Sequence, residues 1–114
     1  MTDYMAQYKR NLKAINASGK ATPHLGDIWW VSNLDGIKDR PILVLEFKDG
    51  VVTFLKCTSQ SKDYRESVLI EDYYEAGLEK ATYIDPQIRT ISRNRLVRRL
   101  GKLSDYDASK IDLN

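Results

Sequence analysis

With 114 residues, 42% of them hydrophobic and 30% charged, and a net charge of +2, the chain has the size and balance of one globular domain, and its bulk charge points to no partner. No apolar run approaches the roughly 20 residues that span a bilayer, and Met1 to Asn16 has no apolar stretch of secretory length, so a cytoplasmic location away from membranes is expected. The single Cys57 excludes an internal disulfide and fits a reducing compartment, and one His with one Cys cannot build the common zinc sites.

In chain order, Thr2 reads as an N-cap and Asp3 to about Ala17 as a helix, with Tyr4, Tyr8, Leu12 and Ile15 at helical spacing. Ser18 to Pro23 reads as a linker. Gly26-Asp27 opens a strand over Ile28 to Val31, and Asn33 to Asp39 is a loop. Arg40-Pro41 precedes a strand from Ile42 to Phe47. Asp49-Gly50 is a hairpin turn signal, and Val51 to Thr58 is the return strand. Val68 to Ile70 suits a short edge strand, and Asp72 to Gly77 one or two helical turns ended by glycine. Tyr83-Ile84 and Ile88 to Ile91 read as strands. Ser92 caps a basic helical turn containing Leu96, Val97 and Leu100, and Ser104 starts a last helix with Asp105 and Asp107 in its first turn and Lys110 near its end. The architecture expected is α+β: a small, mostly antiparallel, curved sheet with short helices and an extra N-terminal helix.

Charge is unevenly distributed. Asp63 to Asp85 holds seven acidic and two basic residues, whereas Pro86 to Leu103 holds six basic residues and no acidic one. Such a cluster can face phosphates, form a solvated face, or meet an acidic protein.

The hairpin brings chemistry together. With Asp49-Gly50 as a two-residue turn, paired residue numbers total 99, so Phe47 faces Val52, Leu43 faces Lys56, Pro41 faces Thr58 and Arg40 faces Ser59. The open end therefore gathers Arg40, Thr58 and Ser59. A guanidinium with two hydroxyls suits a phosphate, and Gln60, Lys62 and Arg65 extend the contact along a backbone. The same residues also suit an ordinary strand end. In this simple ladder Arg40 and Thr58 lie on opposite faces, and only a bulge or a twist brings them to one site.

Other candidates are fewer. His24, the sole histidine, is a possible general base or an incidental loop residue. Cys57 lies in an apolar strand and reads as core. Trp29 and Trp30 point to opposite faces, one into the core and the other available to stack on a base or to sit in a dimer interface. The acidic residues show no metal-site spacing, and no phosphate loop, dinucleotide fingerprint or hydrolase elbow is present.

Several segments in order resemble the PemK/MazF-like toxin family: Gly26 to Val31, Arg40 to Leu45, Lys56 to Ser59, Ala76 to Leu78, Gln87 to Ile91, and Arg95 to Ser104. The resemblance runs from about Leu25 to Ile111, giving a toxin domain over 25–114 after a helical extension over 1–24. It implies a compact SH3-like, barrel-like sheet (PemK/MazF/CcdB-like), a homodimer, a separately encoded antitoxin, and cofactor-free, metal-independent cleavage of single-stranded RNA. The apolar and aromatic residues on both faces of the early strands also favour the dimer. Under the resemblance Arg40 and Thr58 are catalytic, and Ser59, Gln60, Lys62, Arg65, Trp30, Gln87 and Arg89 are expected to contact RNA. The chain departs from the family in its first 24 residues, in its short loop at 33–39, in lacking an Arg-x-Asp pair at Ile84-Asp85-Pro86, and in carrying Ala81-Thr82 where Ser and an apolar residue are usual. Asp85 joins His24 as a candidate base. The rival expectations are a binding module of the same fold, like the toxins that poison gyrase through protein contacts, and an inactive relative that only binds RNA or protein.

Overall fold

The computed structural model describes residues 21–32, 39–59 and 67–111. The helix expected over Asp3–Ala17, the first half of the linker after it, and the loop residues 33–38 lie outside the described residues.

Six strands form one antiparallel sheet: β1 (Asp27–Val31), β2 (Arg40–Lys48), β3 (Val51–Thr58), β4 (Val68–Ile70), β5 (Thr82–Ser92) and β6 (Leu96–Lys102), in the order β4-β5-β3-β2-β1-β6. Short α1 (Asp105–Lys110) follows. It and a 3-10 turn at Arg93–Arg95 are the helices among the described residues, and neither is long or apolar enough to cross a membrane.

Alternation along the strands makes two apolar clusters. Ile28, Leu43, Leu55, Cys57, Ile70, Ile84 and Leu103 belong to one. Trp29, Val31, Ile42, Val44, Val52, Phe54 and Leu96 belong to the other. The two tryptophans divide as expected: Trp29 is fully buried and Trp30 half-buried.

The β2–β3 hairpin turns at Asp49 (φ 52°) and Gly50 (φ 76°), both in the left-handed region that a two-residue hairpin turn with matching twist requires. The register expected from that turn holds for Lys48↔Val51, Phe47↔Val52 and Glu46↔Thr53. It then slips. Leu45 is bulged out, and Val44↔Phe54, Leu43↔Leu55 and Ile42↔Lys56 follow. Leu43 thus faces Leu55 rather than Lys56, and two apolar side chains meet in the core where the unslipped ladder would bury a lysine.

β5 is one strand where two were expected, with a bulge around Pro86. Leu55 pairs with Ile88 and Cys57 with Ile84, so Asp85, Pro86 and Gln87 together oppose Lys56. Proline has no amide to donate. The Asp85 carboxylate accepts from the Gln87 amide at 2.9 Å and lies 3.7 Å from the Lys56 ammonium, supplying partners the ladder has lost.

The expected helical turn over Leu96–Leu100 is instead strand β6. Bulges at Val97 and Leu100 against β1 break its alternation, so Leu96 and Leu100, four apart, resembled a helical stripe. The segment 72–77 forms hydrogen-bonded turns, with Leu78 N donating to Tyr73 O (2.9 Å) and Gly77 N to Tyr74 O (3.1 Å) around Gly77 at φ 81°. This is the glycine stop expected there. Among the described residues no ladder joins β4 to β6. The turn packs on β6 directly: a Cβ at Gly77 would lie 2.1 Å from Leu100 O, and one at Gly101 2.6 Å from the Ala76 backbone. Closure of the curved sheet depends on the missing side chains at these two positions.

Candidate active site

The register slip at Leu45 decides what the open end of the hairpin presents. The ladder ends at Ile42↔Lys56; extrapolated two residues in the same register, Arg40 would fall opposite Thr58 and on the same face. The unslipped ladder would have put them on opposite faces. Arg40, Thr58 and Ser59 line a groove of about 610 Å³ at this end of the sheet, with Trp30 and Pro41 beside them.

Pro41 pairs with Trp30, and Trp30 with Arg98 on the next strand. Three side chains from three strands therefore form a row along the groove. Lys80 and Glu79 come from the segment before β5, and Asp39 from the residue before β2. Thr82 also lines the groove, with its hydroxyl donating to Lys80 O at 2.9 Å. Three cations, Arg40, Lys80 and Arg98, thus line the groove with hydroxyls and two carboxylates. The arrangement can hold an anion with an aromatic surface to one side.

Cys57 contributes to the wall but is fully buried. Burial pushes its thiol up to about 12, with the nearby Arg40 guanidinium partly opposing the rise. A neutral thiol is a poor nucleophile, which agrees with its expected place in the core.

A family model for the PemK-like, MazF-like toxin of type II toxin–antitoxin systems matches residues 24–114. The chain belongs to this family. Among solved structures, a mycobacterial endoribonuclease in complex with its cognate antitoxin has the same fold at TM-score 0.64, with 16% identity over 81% of this chain and 87% of that one. A second mycobacterial endoribonuclease matches at TM-score 0.62, with 15% identity over 80% of this chain and 85% of that one. No curated protein sequence matches.

Against this PemK/MazF-like frame, the structure brings Arg40, Thr58, Ser59 and Trp30 of the expected residues to one groove. Gln60, Lys62 and Arg65 lie outside the described residues. Gln87 and Arg89 are together on β5, Arg89 Nη2 donating to Gln87 Oε1 at 3.2 Å, but they do not line the groove. Neither candidate base lines it. The His24 side chain is 75% exposed, with Nδ1 3.9 Å from the buried Asp27 carboxylate, and Asp85 is buried beside Lys56.

Sequence reasoning did not place Asp39, Glu79, Lys80 or Arg98 in the groove. Arg98 was hidden by the helical interpretation of β6. Lys80 and Glu79 stand next to Ala76-Gly77-Leu78, and only the turn's contact with β6 shows that they reach the groove.

Proposed function

We propose that this toxin is an endoribonuclease that cleaves single-stranded RNA and leaves 2′,3′-cyclic phosphate and 5′-hydroxyl ends. The observation that supports the proposal is that Arg40 and Thr58 line one groove, where the register beyond the bulge at Leu45, if extrapolated, would also bring them together.

RNA supplies the nucleophile. Its 2′-hydroxyl attacks the adjacent phosphorus, the 2′-O–P bond forms, the P–O5′ bond breaks, and a proton passes from the 2′-oxygen to a base while another reaches the leaving 5′-oxygen. The protein has to hold this geometry and stabilise charge on the phosphoryl oxygens. Arg40 meets that charge with a planar fork of donors, and Thr58 and Ser59 position the phosphate. The reaction so described includes no metal ion or other cofactor. Asp39 and Glu79 are carboxylates at the groove and are better placed to accept the 2′-proton than His24 or Asp85.

The same proposal takes residues 25–114 as the toxin domain and 1–24 as an extension. It includes a homodimer in the cytoplasm and neutralisation by a separately encoded antitoxin, a partner supported by the family and by the solved mycobacterial complex. Trp30, Gln60, Lys62, Arg65, Gln87 and Arg89 are proposed RNA contacts.

Incubation of the purified protein with mixed-sequence RNA in EDTA, with end-group analysis, tests the chemistry. Cyclic phosphate and 5′-hydroxyl ends are expected. Activity abolished by EDTA and restored by magnesium would overturn the metal-free mechanism, and intact RNA in every condition would favour a binding module.

A further inference from the structure

Arg98 differs from its basic neighbours. Arg99 Nε lies 3.2 Å from the buried Asp27 carboxylate. Arg93 donates to Ala21 O at 2.7 Å and lies 5.0 Å over the Trp29 ring. Arg89 donates to Gln87. Arg98 is half-buried in the groove wall, and no carboxylate among the described residues forms an ion pair with it. A guanidinium partly removed from water gains from an arriving anion more than a fully hydrated one does.

Its neighbours indicate which anion. Arg98 is directly opposite Trp30, itself half-buried on the groove, and Trp30 is directly opposite Pro41, the residue next to Arg40. The backbones that carry Arg98 and Arg40 are two strand spacings apart, roughly 10 Å. Arg98, Trp30 and Pro41 thus form one cross-strand row, and Arg40, the next residue along β2, lines the same groove. A polyanion with flat rings between its charges fits a groove lined by two guanidiniums and an indole, because the indole offers a stacking face and each guanidinium a fork for phosphate oxygens.

We propose that Arg98 and Trp30 form a second subsite, in which Arg98 binds the phosphodiester next to the scissile one and Trp30 stacks on the base between them. The proposal rests on the nuclease reading for which phosphate is cut, but not for the contact itself. Arg98 is a positioning residue: it sets the strand along the groove and leaves charge stabilisation at the cut to Arg40.

The test measures binding of a 2′-O-methyl oligoribonucleotide, which the proposed mechanism cannot cut, across a series of salt concentrations. The proteins are wild type, Arg98→Gln, Arg98→Lys, and Lys48→Gln at the exposed hairpin tip as a control, with thermal melting to verify folding. Losing one phosphate contact on a single strand lowers the slope of log K against log salt by about 0.7. Arg98→Gln is expected to show that drop, with binding weakened about tenfold. Arg98→Lys should keep most of the slope but lose affinity, and Lys48→Gln should match wild type. In cleavage assays Arg98→Gln should raise KM for an oligonucleotide far more than for a dinucleotide with a single phosphate. An unchanged salt slope in folded Arg98→Gln overturns the subsite, as does an equal loss on both substrates. If wild type binds RNA but never cuts it, the nuclease reading fails while the slope still decides the subsite. If wild type binds no RNA, both fail.

Discussion

Two polar clusters in this molecule differ in how they are enclosed. In the clasp that ties α1 to the turn after β4, the fully buried Asp107 accepts from the Glu71 amide at 3.0 Å and the Asp72 amide at 2.8 Å, and lies 3.0 Å from the Lys110 ammonium. Ser104 caps the helix through the Asp107 amide and donates to Asp72 at 2.6 Å, while Lys110 also reaches Leu69 O and Glu71. Each charge there has a partner within the chain. In the groove, Arg40, Lys80 and Arg98 line an open space of about 610 Å³. A buried network fixes geometry, whereas charged side chains that line an open groove can meet a ligand. The clasp should therefore govern stability and the groove activity.

The largest expected effect is on the groove. Arg40→Ala should lower RNA cleavage about 10²- to 10³-fold, the usual cost of losing a charge-stabilising donor at a transition state, with the melting temperature little changed. Arg40→Lys should also fail substantially, because an ammonium lacks the planar fork. Thr58→Ala should cost less if its hydroxyl only positions the phosphate. Near-full activity in Arg40→Ala would mean that the clasp and the groove have been assigned the wrong way round.

Asp107→Ala should show the converse. It leaves the Glu71 and Asp72 amides and Lys110 without their shared acceptor, a loss of about 2 to 3 kcal/mol. Denaturant unfolding should register this loss, while the cleavage rate per folded molecule stays near wild type.

Acid sharpens the same contrast. Burial pushes the Asp107 carboxyl up, but the hydrogen bonds from the Asp72 and Glu71 amides and from Lys110 outweigh it, and its value falls below the ordinary 3.8. A group with a depressed folded value contributes stability that is complete above its unfolded value and lost as pH falls through the folded one. Stability measured from pH 6 downward should therefore drop below about pH 4 in the wild type, and the Asp107→Asn variant should show a shallower drop.

The smallest expected effect concerns Cys57. With its thiol buried and raised to about 12, a thiol-specific reagent at neutral pH should label it only on unfolding. Rapid labelling of the folded protein would show that the groove wall opens.

Legibility differed between the clusters for physical reasons. Local signals were readable: Asp49-Gly50 gave the hairpin, Gly77 the end of its turn, and Ser104 with Asp105, Asp107 and Lys110 the final helix. The role of Asp107 was not, because its amide partners are 35 and 36 residues away. Turn geometry gathered Arg40, Thr58 and Ser59 at one strand end, and also showed that a bulge or a twist was needed to unite the first two. Where that bulge falls was not readable, since Val44-Leu45-Glu46 contains no glycine or proline to mark it. Arg98 was lost because two bulges in β6 removed the alternation that identifies a strand. The sequence signals of this fold are strongest where a turn dictates register and weakest where tertiary packing resets it.

The most direct test of the central claim uses an RNA cleaved by the wild-type protein and remade with one 2′-deoxynucleotide immediately 5′ of the scissile phosphate. If the 2′-hydroxyl is the nucleophile and the groove only orients it and stabilises charge, that bond should survive in EDTA while other sites in the same strand are cut to cyclic phosphate ends. Cleavage at the substituted bond would show that water or a side chain attacks, and would contradict the mechanism assigned to Arg40 and Thr58.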